Sequence, residues 1–439
     1  MKLNVKNAVF VSMAMIIWGI YLQLIDTTIQ IVIVNNLGQT EEVKGIIIGI
    51  VNFMPLLLFP LFAKLSDNTT TKIGRRAPFI IIGTLMTIVL IISAALFAEQ
   101  GSVLGYAIFF TLSYIGISIY RPAATAILPD IIPKPLRSKA NAIKGIINAF
   151  GGLIVLALVA IFGDANMLAT YIISAVFMAI ILILYMLNIN EPKLVKEAEI
   201  AMAEYLASCD DETKKKGESE SFNDKGPRGY KYVLAMPKQE RKSLIFILLS
   251  VFMVTYGYGA MIATYQNYAF EVWDMTHSAA TIFIVLIGVG GLASTPIISM
   301  LSDKKGRKNT MLIGYAVFIV GVSSIILFES VVAMRFIGFV LLGSGWAFVT
   351  IISYPMVLEL SDTYNNGAFT SYFTLACTIP KAMTAYTSGV MLTRIGYQIL
   401  YPYTLFFIVL GMIAMFFVKH GDVIGSNKKM EEIKWRFFT

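Results

Sequence analysis

The sequence predicts an all-α membrane protein of twelve transmembrane helices, arranged as two pseudo-symmetric six-helix bundles. Three observations predict it. Of 439 residues, 57% are hydrophobic and only 14% are charged, where an ordinary soluble domain carries about 25% charged residues. The apolar residues fall in runs of roughly 20, enough to span a ~30 Å hydrocarbon layer at 1.5 Å per residue, and most runs lack the polar stripe of a soluble helix. The third observation is a repeat. Leu65-Ser66-Asp67 leading to Gly74-Arg75-Arg76 returns half a chain later as Leu301-Ser302-Asp303 leading to Gly306-Arg307-Lys308. Each copy ends one apolar run and begins another, the mark of a membrane protein built from two homologous halves.

The first run, about 8–34, is too long for the 7–15-residue core of a signal peptide and lacks a small-residue cleavage site, so it reads as a retained span. Runs at about 44–64, 77–98, 103–128, 140–162 and 167–189 complete the first six. A second six lie at about 243–270, 279–300, 310–328, 332–358, 368–393 and 399–418. The expected domains are therefore a bundle at 1–190, a cytoplasmic linker at 191–242, a bundle at 243–420 and a cytoplasmic tail at 421–439. Within the linker, Glu191 to Ala207 has an amphipathic helical pattern, and Asp210 to Gly229, rich in Lys, Glu, Ser and Gly, is expected to lack fixed structure. The tail carries Lys428, Lys429, Lys434, Trp435 and Arg436, which suit either an anionic membrane surface or plain solvation.

Net charge is +8, and no soluble basic module exists to direct it at nucleic acid. The cations instead occupy alternate loops. Lys64, Lys72, Arg75, Arg76, Lys134, Arg137, Lys139, Lys144, Lys304, Lys305, Arg307 and Lys308 fall on one side, while intervening loops hold Glu41, Glu42, Glu99, Asp164, Glu271 and Asp274. The positive-inside rule then places both termini in the cytoplasm of a multi-pass protein of the plasma or inner membrane. Cys209 and Cys377 make no disulfide framework. His277 and His420 stand alone and make no metal site. No phosphate-cradling Gly-x-x-x-x-Gly-Lys-Ser/Thr occurs, which argues against ATP drive. Nothing here calls for covalent chemistry or a cofactor, so an enzyme is not expected.

The repeated loops are candidate gates. An aspartate at one helix end can accept from exposed N–H groups of a neighbour, and arginines can bond orphan carbonyls at helix C-termini. Asp67, Gly74, Arg75, Arg76, Asp303, Gly306 and Arg307 are the candidates, with Asp130 after span four echoed by Glu359 and Asp362 after span ten. Topology alone explains the cations but not the repeated Leu-Ser-Asp.

At these loops the chain resembles the major facilitator superfamily, whose loop between spans two and three has a Gly-x-x-x-Asp-Arg-x-Gly-Arg-Arg type of pattern. The stretch Leu65 to Phe79 is similar to the glycoside–pentoside–hexuronide:cation symporters, especially their sucrose-transporter-like branch. Tyr120-Arg121-Pro122, Leu128-Pro129-Asp130-Ile131-Ile132-Pro133, Arg137-Ser138-Lys139-Ala140-Asn141 and Leu22-Gln23-Leu24 support the same branch. The resemblance implies the major facilitator fold and transport of a sugar-type solute. It also implies a place for Lys381, which matches a lysine in span eleven of the wider symporter family.

Ionisable groups within spans are costly, about 2.5–3.5 kcal/mol each at the centre of an isolated helix. Asp26, Arg121 and Lys381 stand out. Gln23, Asp26, Thr27 and Gln30 share a face at helical spacing. Asp26 is the candidate to take and release a coupled proton, with Arg121 as its modulating cation, against the alternative of a permanent structural pair. Sodium-using members of the family carry further carboxylates in spans two and four. Val51 to Pro60 has none, and span four offers Tyr120 and Arg121, so a proton is the favoured coupling ion. A sugar pocket combines aromatic plates with amides and charges. Trp18, Tyr21, Gln23, Asp26, Arg121, Asn148, Tyr265, Gln266, Asn267, Trp346 and Lys381 are the candidates, weighed against ordinary helix packing. Gly343 and Gly345 beside Trp346 admit either a ligand or a close neighbouring helix, and Tyr256-Gly257-Tyr258-Gly259 reads as a flexible stretch or as helix packing.

The expectation is a sugar or glycoside:proton symporter working by alternating access. Its partners are a small solute and membrane lipid. The alternatives are a facilitator or exporter of another small solute, sodium coupling, and a non-transporting membrane sensor.

Overall fold

The apolar runs fold as helices, and three of them start at short polar side chains. Thr40, Ser102 and Asn166 each accept a backbone N–H three residues on, from Val43, Gly105 and Ala169 at 3.3, 3.2 and 3.0 Å, satisfying donors that a helix start leaves open. The computed structural model describes residues 5–132, 136–207, 229–361 and 365–421. Cys209, Lys134, Asp362, most of the 210–229 stretch, the tail from 422 and the Arg137 side chain lie outside the described residues.

In chain order the helices are α1 (Val5–Gln23), α2 (Glu41–Asn68), α3 (Ala77–Glu99), α4 (Val103–Ile131), α5 (Arg137–Phe162) and α6 (Met167–Asn188), then the linker helices α7 (Glu191–Ala207) and α8 (Tyr230–Ala235). They continue as α9 (Lys238–Trp273), α10 (His277–Lys305), α11 (Arg307–Leu327), α12 (Val332–Glu359), α13 (Asn366–Ile395) and α14 (Leu400–Phe416). Eleven have the length and hydropathy to cross a membrane. The twelfth, α13, is as long, at 30 residues, but richer in Thr, Ser and Gly. Among the described residues there is no strand.

Span one does not stop at Gln23. It runs on through two wider-wound segments, Leu24–Thr28 and Ile31–Asn36, with i→i+5 hydrogen bonding. Such π segments inside a helix shift side-chain positions and cluster at functional sites. Prolines interrupt the ladders of α2 (Pro55, Pro60), α4 (Pro122, Pro129), α10 (Pro296), α12 (Pro355) and α13 (Pro380), each removing one backbone donor.

The chain divides into two compact units. The first is Met1–Phe222 with Ala269–Thr281, and the second is Asn223–Tyr268 with Ile282–Thr439. The Ala269–Thr281 segment, from the end of α9 to the start of α10, groups with the first unit. Asp164 fixes this segment by accepting the backbone N–H groups of His277 at 2.7 Å and Ser278 at 3.1 Å. His277 itself stacks on Phe270 and accepts from the Asn35 amide at 2.7 Å.

Within each unit glycines let helix backbones touch. A Cβ on Gly19 would lie 2.1 Å from the Asn148 carbonyl, and one on Gly151 2.2 Å from that of Ile16, so α1 and α5 cross in direct contact. In the second unit Gly343 meets the Ile287 carbonyl at 2.0 Å and Gly345 meets Phe318 at 2.5 Å. These small residues beside Trp346 therefore admit neighbouring helices, not a ligand. Gly257 and Gly259 serve the same purpose against Thr404 and Thr384, and the Tyr256–Gly259 stretch is unbroken helix.

Candidate functional site

Two polar arrangements organise the first unit. One is at the α2–α3 loop. Asp67 closes α2, and Gly74, with φ +114°, turns the chain so that α3 starts at Ala77. Arg76, only 4% exposed, spreads its guanidinium over three partners: Asp67 at 2.6 Å, Asp130 at 2.9 Å and the Ser66 hydroxyl at 3.0 Å. Arg75 adds a second bond to Asp130 at 2.8 Å. Glu191, the first residue of α7, accepts the backbone N–H groups of Arg75, Arg76 and Ala77 at 2.9–3.0 Å. A carboxylate at a helix N-terminus meets both the open donors and the positive end of the helix dipole. Glu191 was not among the residues the sequence singled out, since its partners lie 114–116 positions away.

The second unit repeats part of this. Gly306, φ +84°, precedes α11, and Arg307 bonds Glu359 at 3.1 Å and the Pro355 carbonyl at 3.4 Å. Lys308 donates to the Phe416 carbonyl at the end of α14. Asp303, exposed like its counterpart Asp67, differs in holding no ion pair among the described residues.

The other arrangement lies inside the first unit. Trp18 of α1 and Phe59 of α2 meet edge to face at 74°, and Phe59 stacks on Tyr114 of α4. The Arg121 guanidinium carbon sits in the corner, 3.8 Å from the Trp18 ring centre and 4.9 Å from that of Phe59. Proline at position 122 removes a donor one residue past this cation. The Tyr114 hydroxyl lies within electrostatic reach of both Arg121 and Asp26. Asp26 occupies the wide-wound Leu24–Thr28 segment. Arg121 makes no ion pair with it or with any other described carboxylate, so the modulating pair expected from the sequence is not formed here. Lys144, counted from the sequence among the inside cations and inside the 140–162 run, lies in α5 within electrostatic reach of Arg121.

The remaining candidates divide by accessibility. Gln23 donates to the Thr27 hydroxyl, and Gln30 donates to the Asp26 backbone carbonyl, so the expected polar face exists but is partly self-satisfied. Tyr21 is fully buried, packed on Phe110 and Tyr114 with its hydroxyl 2.7 Å from Ser113; it backs the aromatic corner. The Asn148 side-chain oxygen is buried without a hydrogen-bond partner among the described residues. In the second unit Trp346 stacks on Tyr258 at 4.0 Å, and Lys381 crosses Gly259 with its Cγ 3.8 Å from the position of a Cβ there. Tyr265, Gln266 and Asn267 are buried, with Tyr265 edge-on to Phe339. Consecutive helical residues point about 100° apart, so the three cannot share one face. A cleft of about 200 Å³ in the first unit, lined by Val32, Asn36, Glu99 and Tyr171, includes none of the candidates. Among the described residues no His, Cys, Asp and Glu cluster could hold a metal.

Residues 9–385 match the family profile of the Major Facilitator Superfamily. No curated protein sequence matches the chain. Among solved structures, the nucleoside transporter NupG superposes with a TM-score of 0.68 at 11% identity, over 94% of this chain and 98% of its own. A D-xylose-proton symporter does so at 0.68 and 15%, over 94% and 98%. A bacterial homologue of the iron transporter ferroportin, inward-facing, gives 0.69 at 13%, over 94% and 99%. At such identities the likeness is one of fold.

Proposed function

Because this chain belongs to the Major Facilitator Superfamily, a family of membrane transporters and not of enzymes, we propose that it carries a sugar or glycoside together with a proton by alternating access. The observation that carries this reading is the Arg121 corner. Trp18 and Phe59 hold the Arg121 guanidinium against their rings, leaving its N–H edge to bond the hydroxyls of a sugar beside apolar aromatic surface.

In this mechanism Asp26 takes the proton. A carboxylate within a membrane span is costly when charged, and the wide-wound turn around it gives local freedom to change partners. Neutralising Asp26 favours solute binding at the Arg121 corner, and its release on the inner side follows proton loss. The Arg76 and Arg307 networks, closed in this structure, then open and reform once per cycle. Moving one elementary charge through 100 mV is worth ~2.3 kcal/mol, which for a neutral sugar supports roughly 40-fold accumulation. Proton coupling is preferred to sodium because α2 offers no carboxylate between Val51 and Pro60, and a hard cation needs several oxygen ligands.

Radiolabelled sugars tested on purified protein in proteoliposomes, with and without a proton gradient, decide the matter. Gradient-driven accumulation of a sugar supports the reading. Downhill flux indifferent to the gradient makes the protein a facilitator, and binding without flux or counterflow makes it a sensor.

A further inference from the structure

We infer that the inner end of the second unit holds the phosphate of an anionic phospholipid headgroup, between Lys242 at the start of α9 and Lys419 just past α14. The inference goes beyond the transport reading and does not depend on which solute is carried.

Packing brings three chain segments together here. Ser243 of α9 accepts the backbone N–H groups of Lys419 and His420, each at 3.1 Å, and Phe246 stacks on Phe417 with ring centres 5.2 Å apart. Lys308, at the start of α11, donates to the Phe416 and Val418 carbonyls at 3.0 and 2.5 Å, satisfying acceptors that the end of α14 leaves open. Lys242 adjoins Ser243 in sequence, so its side chain and that of Lys419 leave from neighbouring stretches of backbone. Both lysines are exposed, and neither makes an ion pair among the described residues.

The apolar surface beneath sets the level of these cations. Lys238, Lys242, Ile245 and Leu249 recur at helical spacing on one face of α9, and all four are exposed. Phe416 and Phe417, at the end of α14, are exposed as well. Ile245, Leu249 and the two phenylalanines suit hydrocarbon, so the lysines stand where hydrocarbon gives way to headgroups. Glu240, the acid of the first turn of α9, lies about 200° round the helix from Lys238 and Lys242. Among the described residues, then, no carboxylate compensates Lys242 or Lys419. A lipid phosphodiester supplies that anion while its acyl chains lie along Ile245 and Phe417, and the positive-inside rule puts the site in the cytoplasmic leaflet. A soluble phosphate would satisfy the charge but leave the apolar face uncovered.

The test titrates the purified full chain in detergent with phosphatidylglycerol, with phosphatidylcholine of the same acyl chains, and with inorganic phosphate, counting bound molecules by native mass spectrometry. One phosphatidylglycerol per chain is expected, bound tenfold or more tightly than phosphatidylcholine. Lys242→Gln combined with Lys419→Gln should cut that preference at least fivefold, since one lysine beside an anionic headgroup is worth about fivefold in affinity. Lys304→Gln combined with Lys305→Gln, in the last turn of α10, should leave it within about twofold. Equal binding of the two lipids by the unaltered protein overturns the inference without needing a variant to fold. So does phosphatidylglycerol binding that never saturates, or a preference lost as fully in the Lys304 and Lys305 variant; each means attraction to a charged surface and not a site. Inorganic phosphate displacing phosphatidylglycerol at equal concentration also overturns it, and makes the site one for soluble phosphate.

Discussion

The guanidinium of Arg76 lies 2.9 Å from the Asp130 carboxylate, 54 residues further along the chain. In the second unit Arg307 meets Glu359, 52 residues on, at 3.1 Å. The two pairs are the same device in the two halves, but their environments differ: Arg76 is buried and bonds three side chains, whereas Glu359 is 43% exposed.

Arg76→Gln should cost about 1–2 kcal/mol of stability, since the buried Ser66 contact and the Asp67 pair are lost while Asp130 keeps Arg75. Arg307→Gln should cost less than about 1 kcal/mol, as an exposed pair does. Melting curves of the two variants in detergent check the order. Arg76→Lys should recover little, because an ammonium cannot span Ser66, Asp67 and Asp130 together.

Gly74→Ala should destabilise the α2–α3 loop by about 1–3 kcal/mol. Its φ of +114° suits glycine, and an added Cβ would stand 2.3 Å from the Glu191 carboxylate oxygen. Glu191→Gln should be milder, because an amide still accepts one of the three N–H groups. If Gly74→Ala melts like the unaltered protein, Glu191 does not fix this loop.

Asp164 predicts a pH response by its absence. Burial alone would raise its carboxyl, but the Ser278 hydroxyl and backbone N–H, with the His277 backbone N–H, outweigh it and hold the group below the ordinary carboxylate value. A depressed carboxyl stabilises the fold above its unfolded value and loses that contribution only as pH falls through the folded one. Between about pH 5 and 8 the contribution should be constant. Asp164→Asn should lower the melting temperature by a similar amount across this range, and a gap that closes toward pH 5 would contradict the assignment.

Trp18→Ala should weaken sugar binding about threefold to tenfold, corresponding to about 0.5–1.5 kcal/mol for one ring contact. Tyr21→Phe, behind the corner and bonded to Ser113, should alter stability and leave the affinity within about twofold. Calorimetry separates the two effects.

Much of the fold was legible in the sequence. The apolar runs set all twelve long helices, and span ends such as Ala77 and Val103 fall at the expected positions. Local pattern could not supply relationships set by packing. Glu41, read as a loop acid, begins α2 and is buried beside Lys44, to which it is ion-paired. Nothing in the hydropathy marks the wide winding around Asp26. Phe59 and Tyr114 carry no mark separating them from other membrane aromatics, and only the position of Arg121 gives them a role. Lys144 already fell inside the 140–162 run, but nothing in the sequence pairs it with Arg121, to which it lies in electrostatic reach. Of the repeated Asp67 and Asp303, only Asp67 is held by an arginine among the described residues.

The central claim is that Asp26 carries the coupled proton. It is tested most directly by recording external pH as sugar is added to de-energised vesicles containing the protein. The unaltered protein should alkalinise the medium as sugar enters. Asp26→Asn should abolish that signal while sugar exchange persists. Sugar entry without alkalinisation in the unaltered protein, or an undiminished signal in Asp26→Asn, would contradict the account.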